Sequence, residues 1–213
     1  MGCPTTESVT SGLFAQYTKR MRDEIGALFQ TVIYDPVKKY DFEGIINLAN
    51  KCITPEVPEY AGVFWLTGAE GSCPVNESLT NSDYDGELEF FVDYKQSELE
   101  DLILSGRLAF HRQNDDIRVL QDINSFLTFT PEKSKDFRNN QVIRVLDEKG
   151  NGQALIFNNK YNGNVPNDKA GRESLWADIV SQNKQLEQIR AIQNYDEDLL
   201  RVEQGTERGS VLV

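Results

Sequence analysis

The twelve residues from Tyr161 to Arg172, YNGNVPNDKAGR, constrain this chain more than any other stretch. Asn162-Gly163 is a strong turn dipeptide, and the ring of Pro166 pushes Val165 towards extended geometry. Asn167 or Asp168 can then accept the free N–H groups at the start of a helix. The segment is a turn-rich approach to a helix, and it carries none of the nucleophiles, metal ligands or phosphate cradles that enzymes use.

Leu175, Trp176, Ile179, Leu186 and Ile189 mark that helix, from about Lys169 to Arg190. Before it, Val142, Val145, Leu146, Ile156 and Phe157 keep a helical period across Lys149-Gly150-Asn151-Gly152. Each glycine there costs about 1 kcal/mol relative to alanine, so the segment is one weakened helix or two short ones. Leu199 to Val213 reads as two strands about a turn centred on Gly205.

In the first half, Val9, Leu13, Phe14, Tyr17, Met21, Ile25, Leu28 and Phe29 fall on one helical stripe, with Lys19, Arg20, Arg22, Asp23 and Glu24 on the other side. This predicts a surface helix leading into a short strand around Phe29 to Tyr34. Asp41 can cap a second helix through Asn50, with Phe42, Ile45, Ile46 and Ala49 inward. A third helix is predicted from about Pro58 to Ala69, with the proline in its first turn. Glu87 to Tyr94 alternates as a strand with Leu88, Phe90 and Val92 on one face. Ser97-Glu98-Leu99-Glu100 is a capping box for a short helix that Gly106 ends. Leu108 to Arg112 and Ile117 to Gln121 read as a hairpin around Asn114-Asp115-Asp116.

Composition narrows the classes. Lys and Arg number 22 against 34 Asp and Glu, a formal charge of −12. A nucleic-acid binder shows a basic footprint and an anionic membrane surface attracts cations, so neither partner is expected. No apolar run approaches the roughly 20 residues that span a bilayer, and MGCPTTES lacks the regions of a signal peptide. Cys3, Cys52 and Cys73 are odd in number, widely spaced and without a Cys-x-x-Cys pair. They read as reduced thiols of a cytoplasmic protein.

Tests for chemistry fail one by one. His111, the single histidine, has no Gly-x-Ser-x-Gly elbow to serve, and Gly71-Ser72-Cys73-Pro74 is a poor substitute, so a structural or exposed role is expected for it. Gly150-Asn151-Gly152 begins a dinucleotide-binding pattern, but Leu155 stands where its third glycine belongs and no strand precedes it. Asn81 to Gly86 resembles half of a calcium loop, yet the twelfth position is Val92 instead of a glutamate. Trp65 and Trp176 read as core. No catalytic, metal or cofactor site is assigned.

Several segments carry a family resemblance: Tyr17 to Val32 (YTKRMRDEIGALFQTV), Asp41 to Asn50 (DFEGIINLAN), Asn76 to Glu89 (NESLTNSDYDGELE), Arg118 to Phe126 (RVLQDINSF), Asn139 to Asp147 (NNQVIRVLD), Tyr161 to Arg172, and Val202 to Val213 (VEQGTERGSVLV). In this order and spacing they resemble contractile tail sheath proteins, above all those of Gram-positive phages and prophage-derived particles such as R-type bacteriocins. The resemblance implies an α/β (α+β) fold with a mixed β-sheet flanked by helices. It implies a subtilisin-like sheath portion over 8–130 and a conserved C-terminal sheath domain over 131–213, packed as one core. It gives Asp83-Tyr84-Asp85-Gly86-Glu87 a structural role.

The same resemblance implies a structural subunit that is not an enzyme, uses no cofactor and is assembled in a bacterial host cytoplasm into a phage tail or tail-like particle. Its partners would be further copies in hexameric rings, a tail tube protein, and baseplate and tail terminator proteins. Arg172, Lys184 and Arg190 are the candidate tube-facing residues, and Ser210, Val211, Leu212 and Val213 the candidate inter-subunit strand. Family members are longer at both ends, so the chain is expected to be a fragment without the terminal arms and monomeric by itself. The competing readings are a non-catalytic acidic binding module and an α/β hydrolase, the latter needing a convergent Ser-His-acid set.

Overall fold

Two short β-branched runs, Thr31–Ile33 and Ile45–Leu48, form the inner strands of a parallel sheet. The structure is a computed structural model that describes residues 1–213. The chain divides into two compact units, Met1–Arg144 and Val145–Val213.

In the first unit, strands β1 (Gly2–Cys3), β2 (Thr31–Ile33), β3 (Ile45–Leu48) and β4 (Arg107–Leu108) lie side by side in that order, all parallel. Val32 pairs with Ile46 and Ile33 with Asn47. Parallel strands are covered on both faces, and every residue of β2 and β3 is buried accordingly. Side chains alternate: Val32, Ile46 and Leu48 point into the larger core with Val63, Leu66, Phe90, Leu108 and Phe110. Ile33 and Ile45 point into a smaller one with Cys3, Tyr40 and Phe14. Helix α1 (Ser8–Arg20) connects β1 to β2, and helices α2 (Gly62–Ser72) and α3 (Gln96–Leu104) lie between β3 and β4. Strands β5 (Phe110–Gln113) and β6 (Asp116–Val119) form the expected hairpin, with Asn114 at its tip in the left-handed region, φ 57°.

Four local expectations are corrected. Asp41 to Asn50 is not a helix: Ile45–Leu48 is β3, hydrogen-bonded to β2 and β4. The spacing of Phe42, Ile45, Ile46 and Ala49 fits a helix, but paired strands on both sides decide a run this short. Asp41 instead accepts the N–H groups of Leu127 and Thr128 at 2.6 and 3.0 Å.

Most of the apolar stripe of α1 does not face the core: Phe14 packs there, but Val9, Leu13 and Tyr17 are 79, 60 and 50% exposed. The helix instead buries Ser11, Gly12 and Thr18. Polar bonds fix this rotation: the Thr18 and Thr31 hydroxyls meet at 2.6 Å, and Ser8 donates to Asp35 at 2.8 Å.

Around Phe90 only a single bridge to Cys52 forms in place of a strand over Glu87 to Tyr94, although Phe90 and Val92 are buried as expected. The Asn50 side chain supplies what a ladder would, donating to the carbonyls of Phe91 and Phe110 and accepting the Phe110 N–H. Finally, α3 begins at Gln96 with Lys95 at its N-cap, and Glu98 accepts the Lys95 N–H at 2.7 Å, so only the carboxylate half of a capping box forms and Ser97 is already inside the helix. Gly106 ends the helix with φ 73°, and a Cβ there would meet the Ser125 backbone at 3.0 Å.

Helix α4 (Asn140–Ile156) is continuous through Gly150 and Gly152 and runs on as a wider turn to Tyr161. In the second unit Gly152 allows close approach, since a Cβ there would lie 2.0 Å from the Gln182 amide nitrogen. Helix α5 (Lys169–Gln188) packs Leu175 and Ile179 with Tyr161, Ile156, Val202 and Val211. Strands β7 (Glu203–Gln204) and β8 (Val211–Leu212) close the unit as an antiparallel pair.

Candidate assembly surface

The candidate residues lie on or just beyond α5 and the β7–β8 hairpin, and the Tyr161–Arg172 loop ties these elements together. Tyr161 is buried, and its hydroxyl donates to Asp178 at 2.7 Å with the Ser174 hydroxyl at 3.0 Å. Lys160 reaches both Asp178 oxygens at 3.1 Å. The Tyr161 bond and then the lysine hold the Asp178 carboxyl below the usual carboxylate range, while burial pushes the Tyr161 phenol up. Asn164 and Val165 donate back to the Tyr161 carbonyl at 3.0 and 3.1 Å, folding the chain over at Gly163.

Asp168 is the helix cap, accepting the Gly171 N–H at 2.8 Å. Gly171 is required by closeness: an added Cβ would lie 2.2 Å from the Pro166 carbonyl oxygen. Asn167 fastens the hairpin turn to the helix. Its amide nitrogen donates to the carbonyls of Ser210 at 2.8 Å and Arg208 at 3.2 Å, and its side-chain oxygen accepts from Arg172 at 3.1 Å. A cleft of about 480 Å³ lies between this loop and the hairpin, lined by Tyr161, Pro166, Arg172, Leu175 and Val211.

The three candidate cations are thus held differently. Arg172 is bonded to Asn167 through both backbone and side-chain oxygens. Lys184 is solvent-facing and paired with Glu197, whose hydrogen bond holds the ammonium above the usual lysine range. Arg190 follows the end of α5 in the left-handed region, φ 61°. Arg172 and Lys184, both on α5, are about 18 Å apart along the axis and about 120° apart around it. They do not share one face. Val211 and Leu212 pair with Gln204 and Glu203, and Gly205 N–H closes the turn on the Ser210 carbonyl at 2.8 Å. Leu212 and Val213 are each 60% exposed.

Asn167 was weighed in the sequence only as an alternative cap; nothing local signals its bonds to residues 41 and 43 positions away. Asp178 and Glu197 carried no signal at all. Elsewhere, His111 stands half-buried on β5 opposite Arg118, its imidazole pushed down by burial. Asp83 pairs with Arg118 at 2.8 Å and Asp85 accepts the Trp65 indole N–H at 2.7 Å, so this turn is cross-braced to the hairpin and α2.

Comparison with known proteins adds to this geometry. Residues 1–125 match the family described as phage tail sheath protein central domain, and residues 132–213 match the phage tail sheath C-terminal domain. The phage-like element PBSX protein XkdK of Bacillus subtilis is 30% identical over 196 residues, which are 87% of this chain and 42% of that protein. A sheath tail protein of Desulfitobacterium hafniense superposes with a TM-score of 0.81 at 30% identity, covering 92% of this chain and 47% of that one. The helical sheath of the anti-feeding prophage in its contracted state shares the fold, with a TM-score of 0.68 at 13% identity over 97% of this chain and 60% of that one. The chain therefore spans less than half the length of the first two relatives.

Proposed function

Because this chain belongs to the phage tail sheath protein family, we propose that it is the assembling body of a contractile sheath subunit. Copies form stacked hexameric rings around an inner tube, and contraction drives the tube through a target envelope. The likeness to a sheath solved in its contracted state supports this reading. The free energy of contraction comes from the difference between two sets of subunit contacts, with heterologous patches that let assembly propagate. The partners are further copies, a tail tube protein, and baseplate and tail terminator proteins. Assembly takes place in the bacterial host cytoplasm.

The observation that carries the proposal is the β7–β8 pair. It is a sheet of only two strands, each partnered on one side, with Leu212 and Val213 exposed beside it. Such a pair is marginal alone and has edges open for strand addition. Residues 210–213 would then join neighbouring subunits. Replacing Leu212 and Val213 together by lysine places charge on this edge. Electron microscopy is expected to show sleeves from the unaltered protein and none from the variant, while the urea midpoint of the 213-residue chain moves little, each side chain being 60% exposed. Sleeves of normal length from the variant would refute the strand role; no sleeves from either would refute the sheath reading.

For the tube, Lys184 is the first of Arg172, Lys184 and Arg190 to test, since it projects from within α5 with its side chain solvent-facing. Charge reversal, Lys184→Glu, is expected to weaken co-sedimentation of assembled sheath with its tube severalfold. Unchanged binding would exclude this residue.

A further inference from the structure

Away from the assembly surface, the first unit buries two carboxylates against one guanidinium. Glu70 of α2, Asp122 after β6 and Arg144 of α4 have side chains 9, 0 and 13% exposed. Arg144 lies 2.7 Å from Glu70 Oε2 and 3.6 Å from Asp122 Oδ2. Asn140, in the first turn of α4, bridges the acids, its nitrogen donating to Glu70 Oε1 at 3.0 Å and Asp122 Oδ1 at 2.7 Å. Gln30 donates to the Asn140 side-chain oxygen at 3.0 Å, which fixes the amide with both its hydrogens facing the carboxyls.

Fully ionised, this cluster would hold one unbalanced negative charge out of water, an unfavourable state that is relieved by taking up a proton. The donors decide where the proton goes. Asp122 also accepts from the Leu79 N–H at 3.0 Å and the Ser78 hydroxyl at 3.2 Å, so it is the better-served anion. Glu70 has only Asn140 and Arg144, and the Asp122 charge bears on it. The other titratable groups facing the cluster are Cys73 and Glu77; neither supplies a cation.

We propose that Glu70 holds a proton at neutral pH inside this cluster, and that its loss in alkali loosens the anchorage of α2 to the first turn of α4. Burial, then the Asp122 charge, raises the Glu70 carboxyl to about 8. The folded chain therefore binds a proton that the unfolded chain has released. Stability from this group is complete below the ordinary carboxylate range and is lost as pH rises through about 8.

The test is urea unfolding of the whole chain between about pH 6 and pH 9, followed at Trp65 in a Trp176→Phe background. The folded-to-unfolded ratio is expected to fall about tenfold per pH unit in the lower part of that range, and Glu70→Gln should remove this slope. Equal slopes in the two proteins would overturn the proposal. Infrared spectroscopy keeps the test independent of how the variant folds. The unsubstituted chain should show a protonated-carboxyl band at pH 7 that vanishes on alkaline titration, and its absence at pH 7 would equally overturn the proposal.

Discussion

Phe110→Ala is expected to lower the stability of the first unit by about 3–5 kcal/mol, a large share of the 5–15 kcal/mol typical of a domain. Phe110 is fully buried at the start of β5, and its ring lies 5.5 Å from Trp65, 5.2 Å from Phe90 and 5.9 Å from Tyr84. The pairs with Trp65 and Phe90 meet edge to face, the arrangement aromatic quadrupoles favour. Collapse into the vacated volume is hindered because both backbone groups of Phe110 are held by Asn50. The cavity therefore stays open, which places the loss at the upper end of its range. Urea unfolding measures it, with Trp65 fluorescence reporting the local change. A loss below about 1 kcal/mol would show that the cluster repacks freely.

How much of this could be read beforehand depends on whether the deciding contact was local. Asp168 caps α5 through Gly171, three residues on, and Asn114 turns the β5–β6 hairpin; both were legible. The α/β class was legible too, through the family-like segments, and the structure shows a parallel sheet with helices. Distant contacts were not. β3 was read as a helix because the strands that hold it, β2 and β4, cannot be inferred from ten residues. The rotation of α1 follows from Thr31 and Asp35, whose bonds outweigh an apolar stripe that periodicity alone turned inward. Among the candidate assembly residues, the placement of Arg172, Lys184 and Arg190 on or beside α5 was legible. That Arg172 is engaged by Asn167 and Lys184 by Glu197 was not. The buried acids were invisible for the same reason: Glu70 and Arg144 are separated by 74 positions, with no repeating spacing to reveal them.

That cluster gives the second large effect. Arg144→Ala is expected to destabilise the first unit by about 3–5 kcal/mol, because it strips the only cation from two buried carboxyls. Part of the loss is the bond to Glu70 at 2.7 Å, and part is the donation from the same guanidinium to the Glu77 carbonyl at 2.8 Å. The charge component can be separated from the rest by pH. Without arginine the Glu70 carboxyl is harder still to ionise, so the folded variant holds its proton further into alkali than the unsubstituted chain. The destabilisation should therefore be greatest above about pH 8, where Glu70 of the unsubstituted chain has lost its proton. It should shrink towards pH 5, where a protonated Glu70 needs no counter-charge. Pairing the change with Glu70→Gln in a double-mutant cycle isolates the ionic coupling, since the glutamine leaves Asp122 as the one acid. A penalty independent of pH, undiminished in the double variant, would mean that Arg144 acts through packing and its backbone bond.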